Sequence, residues 1–148
     1  MSKAPSKAAP LRLLAEDSED LAVISAALQD AAGKVGDIRY EPVHRRVTIE
    51  LNRFRWEAGG AKGERVRTGV QFGGVLSVKS RNLRRDAPDA VVSLLAIQFE
   101  PAEAPGGVVS LTFSGGGDLR LDVECIDAAL GDISAPWPAR KAPSHGED

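Results

Sequence analysis

The side chains with the most chemical potential in this sequence are arginines, and they crowd its middle third. Arg53 and Arg55 alternate with Phe54 and Trp56 in "LNRFRWE", while Arg81, Arg84 and Arg85 lie close together in "VKSRNLRRD". A guanidinium fork grips a carboxylate or phosphate through two parallel N–H donors, so these five residues are the candidate contacts for an anionic partner. Residues 34–85 carry 13 Lys and Arg against 5 Asp and Glu, a local net of +8, whereas the rest of the chain is net −10 and the whole −2. Such a division either marks a basic surface or is cancelled by acidic neighbours in the fold. The near-neutral total and an aromatic content of 5% argue against nucleic acid as the partner, because single-strand binding needs a basic groove together with stacking platforms.

Catalytic signatures are scarce. The chain carries no Walker loop, no G-x-S-x-G, no H-E-x-x-H, no paired C-x-x-C and no Rossmann fingerprint. His145 falls in a polar tail, and His44 sits in a turn beside Arg45 and Arg46 and reads as a surface histidine. Cys125 alternates in phase with Leu119, Leu121 and Val123 and reads as a core thiol, a poor nucleophile. The acids Glu16, Asp17, Glu19 and Asp20 resemble a metal cluster, but acids at a helix start are explained by capping and the helix dipole. Asp86 and Asp89 flank Pro88 in a loop and can pair with Arg84 and Arg85. The sequence therefore predicts no catalytic residue, no cofactor and no metal. Its leading reading is a non-catalytic binding or adaptor domain for a protein segment or an anionic ligand. A small enzyme built from Asp, Glu and Arg, or an oligomeric structural protein, are the alternatives.

These residues must be positioned by a fold that the pattern outlines. "PLRLLAED" opens with a short strand, and "DSEDLAVISAALQDAAG" then changes period. Leu21, Ile24, Leu28 and Ala31 fall on one helical stripe, with Asp17 or Ser18 as N-cap and Gly33 as the stop. From "KVGDIRY" onward alternation dominates. "VVSLLAIQFE" reads as a central strand covered on both faces, and "VVSLTFSGGGDLRLDVEC" as a hairpin turning at its glycines. Two phase changes interrupt the alternation. Val47, Ile49 and Leu51 occupy odd positions but Phe54 and Trp56 even ones, which predicts a bulge or bend near Asn52 with Arg53 and Arg55 on the far face. Gly73 and Gly74 mark the second. "IDAALGDI", with Ile126, Leu130 and Ile133 along one side, predicts a short closing helix. Short connections imply antiparallel neighbours. The expected fold is an α+β domain: a strongly bent antiparallel sheet or partly open barrel with an N-terminal and a short C-terminal helix. Its last strand pair and helix look like the end of a pleckstrin-homology-like half-barrel.

Taken together, "LRLLAEDSEDLAVISAALQDA", "KVGDIRY", "LNRFRWE", "GVLSVKSRNLRRDAPDAVVSLLAIQFE" and "LTFSGGGDLRLDVECIDA" resemble an uncharacterised bacterial family, the domain of unknown function numbered twenty-nine forty-eight. The resemblance runs over about residues 10–133 and implies no assigned site. A length of 148 residues suits one domain, expected over 10–133, with a disordered arm at 1–9 and a proline-rich disordered tail at 134–148. The single cysteine, the lack of an apolar leader in "MSKAPSKAAP" and the absence of any long apolar run predict a cytoplasmic protein with no membrane span.

Overall fold

The computed structural model describes residues 10–55 and 63–138. Among them are eleven strands and one α-helix. In chain order they are β1 (Arg12–Ala15), α1 (Ser18–Ala27), β2 (Ala32–Lys34), β3 (Ile38–Glu41), β4 (Arg46–Phe54), β5 (Glu64–Phe72), β6 (Val75–Arg81), β7 (Val91–Pro101), β8 (Gly107–Phe113), β9 (Asp118–Val123), β10 (Ala128–Asp132) and β11 (Trp137–Pro138). They form one open antiparallel sheet ordered β1-β10-β5-β4-β2-β7-β8-β9-β6, with β3 also beside β4 and β11 also beside β5. The fold is thus sheet-dominated with a single helix.

That order dictates curvature. Strands β5 and β6 stand far apart in the sheet, yet only Gly73 and Gly74 join them. The sheet must therefore turn back over its own inner face. Gly74 makes the turn at φ +65°, a left-handed backbone that costs an L-residue about 1–2 kcal/mol. The crossing is tied by backbone bonds from Gly73 N–H to the Asp127 carbonyl (2.8 Å), Val75 N–H to the Arg45 carbonyl (2.9 Å) and Glu124 N–H to the Gly74 carbonyl (2.9 Å). The glycine phase change predicted from sequence is this crossing.

One core fills the enclosed space. Val47, Ile49, Leu51, Val70 and Phe72 come from one half of the sheet, and Leu94, Val109, Leu111, Phe113, Leu119 and Leu121 from the other. Helix α1 adds Leu21, Ile24 and Leu28, the stripe expected of it. Its N-cap is Asp17, whose carboxylate accepts from the Asp20 N–H at 2.8 Å. It ends earlier than Gly33, because Asp30 takes a left-handed backbone (φ 66°) and returns the chain to β7, its N–H bonded to the Leu94 carbonyl. Beyond that point Ser25 Oγ accepts from the Ile97 N–H at 2.9 Å, so the helix occupies the edge that β2 leaves uncovered.

Three expectations are overturned. The closing helix is instead β10, inserted between β1 and β5. Ile126, Ala128 and Leu130 are buried alternately, a spacing that coincides with the helical one at Ile126 and Leu130, while Ile133 is left 58% exposed. Without that helix, the pleckstrin-homology-like likeness loses the feature it rested on. There is also no bend at Asn52, since β4 keeps one register against β5 from Val47 to Phe54. Finally, β7 is central in order but covered on one face only. It bulges between Leu94 and Ala96, where Leu95 is exposed, and Val91 at its start is exposed as well.

Candidate functional site

Because β4 is regular, the odd positions that carry Val47, Ile49 and Leu51 into the core carry Arg53 there too, and its side chain is fully buried. An unpaired buried charge costs several kcal/mol, so its partners decide whether the strand is stable. The partner is Asp132, the last residue of β10. Arg53 Nε donates to Oδ1 and Nη2 to Oδ2, both at 2.9 Å, the bidentate fork geometry. Thr68 Oγ1 donates to Oδ1 at 2.7 Å and the Leu11 N–H to Oδ2 at 2.8 Å. Burial by itself raises the Asp132 carboxyl, but the donors Arg53, Thr68 and Leu11 outweigh it and hold the group below its ordinary value. One carboxylate thereby fastens β4, β5, β10 and the residue preceding β1. Phe54 is also buried, on the opposite side of the strand, and Trp56 lies outside the described residues.

The other candidate arginines divide in two. Arg55 is buried and pairs with Glu64 at the start of β5. Arg53 and Arg55 therefore do not form the surface pair expected from the apparent phase change. Arg81 reaches Asp118 across β6 and β9 at 2.7 Å, and Arg84 lies 3.6 Å from Asp86, both on open surface. Arg85 is exposed and has no ion-pair partner among the described residues. Elsewhere the basic stretch is met largely by acids: Arg45 by Glu124, Arg46 by Glu41, Arg67 by Asp37 and Glu50, and Lys34 by Asp89. Burial lowers the Arg67 guanidinium's pKa, but hydrogen bonds to Asp37 and Glu50 reverse that and leave it raised. The charge asymmetry of the sequence is thus mostly neutralised in the fold, with Arg85 an exception.

Arg85 stands at the mouth of a cleft. Among the described residues strand β6 ends the sheet, β3 pairs only with β4, and the two do not pair with each other. The gap between them is lined by Ile38 and Tyr40 from β3, Val78 and Ser80 from β6, Leu83 and Arg85 from the following loop, Val35 from a 3₁₀ turn and Leu119 from β9. Tyr40 spans it, its hydroxyl donating to the Leu76 carbonyl at 3.4 Å. The cavity measures about 150 Å³. That is below the roughly 300–1,000 Å³ of small-molecule pockets, so it admits one apolar side chain or alkyl group rather than a whole metabolite. The walls are apolar, the hydroxyls of Tyr40 and Ser80 offer hydrogen bonds, and Arg85 supplies a positive charge. No carboxylate, imidazole or thiol is among the lining residues, so the arrangement can bind but has no evident proton-transfer pair.

The remaining candidates stay apart from this cleft. Glu16, Asp17, Glu19 and Asp20 are exposed at the start of α1, Asp86 and Asp89 are exposed in the loop, and His44 is exposed in the turn before β4. Among the described residues no group of three acids, histidines or cysteines is close enough to hold a metal. Cys125 is half-buried rather than core, because β9 ends at Val123 and the chain turns before reaching it. Sequence reasoning missed the apolar lining altogether, although Ile38 and Tyr40 alternate in "DIRY" and so share a face. It also missed Asp132, whose signal was a lone acid within the apolar run "AALGDI".

Residues 11–145 match a family described as a protein of unknown function (DUF2948). No curated protein and no solved structure matches the chain.

Proposed function

The chain belongs to that family, and we propose that it is a non-catalytic binding domain whose cleft between β3 and β6 takes an extended protein segment bearing an apolar anchor and a neighbouring acidic group. The observation that carries this reading is the pairing of a side-chain-sized apolar cavity with Arg85, a cation without an internal ion pair among the described residues. The anchor would enter between Ile38, Val78 and Leu83, and the acid would meet Arg85, to which Arg81 and Arg84 are close in sequence. An anionic group offered there can also compete with Asp118 and Asp86 for those two arginines, since exposed pairs are worth only about 0–1 kcal/mol. The open edge of β6, where Tyr40 bonds the Leu76 carbonyl, supports docking by strand addition. A reducing cytoplasmic setting belongs to the same reading, supported by the single cysteine.

The test is an amide NMR titration with a set of extended hexapeptides, each pairing one Leu or Phe with one or two acidic residues. The expected result is shifts confined to Ile38, Tyr40, Val78, Ser80, Leu83 and Arg85, lost in Arg85→Ala. Shifts that map elsewhere, or that survive Arg85→Ala unchanged, refute it.

A further inference from the structure

The face of the sheet that points away from the core, over β1, β10, β5 and β4, has no use in the reading above. The register of these strands sets four outward positions in one row: Arg12 opposite Gly131, Gly131 opposite Gly69, and Gly69 opposite Glu50. The row therefore begins in a cation, ends in an anion and has no side chain between. Arg12 is exposed and has no ion-pair partner among the described residues. Glu50 accepts from Arg67 through Oε1 at 3.2 Å and keeps its side chain 35% exposed. Beside the row stand two large apolar side chains open to solvent, Leu14 at 74% and Ile133 at 58%.

We infer that this face is a self-association surface, on which a second copy of the chain docks about a two-fold axis running along the strands between Gly131 and Gly69. The charges select both the partner and the axis. A row that reads positive to negative is complementary to its own reversal, so Arg12 of each copy meets Glu50 of the other, the isologous arrangement of a two-fold dimer. An axis across the strands instead would oppose Arg12 to Arg12. The glycines permit the approach. An added Cβ would meet nothing within 4 Å at Gly69 or Gly131, and neither has a left-handed backbone, so the chain's own packing gives no reason for glycine at either position. Interior strand glycine weakens a sheet and recurs where another backbone comes close. Leu14 and Ile133 then leave water against the partner's face.

Analytical ultracentrifugation of the full chain tests this. Sedimentation should move from the 15.7 kDa monomer toward twice that mass as concentration rises through the micromolar range. Arg12→Glu replaces two attractions with two repulsions and should raise the dimer Kd about tenfold or more. Gly69→Val, whose side chain meets open space within its own chain, should abolish the dimer while keeping the melting temperature. Lys79→Glu, on β6, should change nothing. A wild-type chain that stays monomeric to about 1 mM overturns the inference, as does a dimer that survives both Arg12→Glu and Gly69→Val. Neither outcome bears on peptide binding in the cleft, which is read separately.

Discussion

Arg53 and Arg85 come from the same basic stretch and meet opposite fates. Arg53 is fully buried and grips both oxygens of one carboxylate, whereas Arg85 stands at a cleft mouth without an ion-pair partner among the described residues. The first arginine is a fastener. Its charge is tolerable only because Asp132, Thr68 and Leu11 complete the network, and removing any member leaves the others desolvated. The second is exposed at the cleft and makes no ion pair among the described residues, and in the binding reading proposed above its donors meet the acidic group of the partner. Charge in the sequence marked both equally, so burial and pairing, rather than residue type, separate a structural arginine from a candidate binding one.

This contrast predicts a steep gradient of effects. Arg53→Ala should be the most damaging, losing about 3–5 kcal/mol in urea unfolding because Asp132 stays behind as a buried unpaired charge. The double variant Arg53→Met with Asp132→Leu should regain much of that loss. If the double variant is as unstable as the single one, packing rather than charge holds this region. Thr68→Val removes one hydrogen bond to the same carboxylate and should cost about 1–3 kcal/mol by the same measurement.

Acid provides a third probe. The folded-state pKa of Asp132 lies below its ordinary value, so its contribution is complete above that value and is lost as pH falls through the depressed one. Stability followed from pH 7 downward should therefore hold until the ordinary carboxylate range near about 4 and then drop. Asp132→Asn should be less stable at neutral pH and show a flatter acid limb. Breaking the exposed pair with Arg81→Ala should cost only about 0–1 kcal/mol. Arg85→Ala should change stability by less than about 0.5 kcal/mol yet remove peptide-induced shifts in the cleft. A large loss of stability in Arg85→Ala would place it with Arg53 and dissolve the comparison.

How far the sequence carried the description depends on the range of each signal. Helix α1, its Asp17 cap and its apolar stripe were legible because every contributor lies within a few residues. The turn at Ser114–Gly116 was legible for the same reason, with Gly115 and Gly116 at φ 80° and 86°. "IDAALGDI" was misread because Ile126 and Leu130 satisfy both periods over so short a run, and only the flanking strands β1 and β5 choose between them. "LNRFRWE" was misread on the premise that an arginine does not continue a core-facing row. That premise fails when a carboxylate waits there, and Asp132 lies 79 residues away.

By itself, then, the sequence pointed to the family through the resemblance of its quoted stretches, and to the helix, the antiparallel strands and the phase change at Gly73 and Gly74 through local periodicity and backbone preference. Only the tertiary structure decided which arginines are spent inside, that Arg85 borders an apolar cleft, and that Arg12 and Glu50 end one row. Each of those facts joins residues tens of positions apart, and cross-strand register, which no local pattern encodes, is what brings them together.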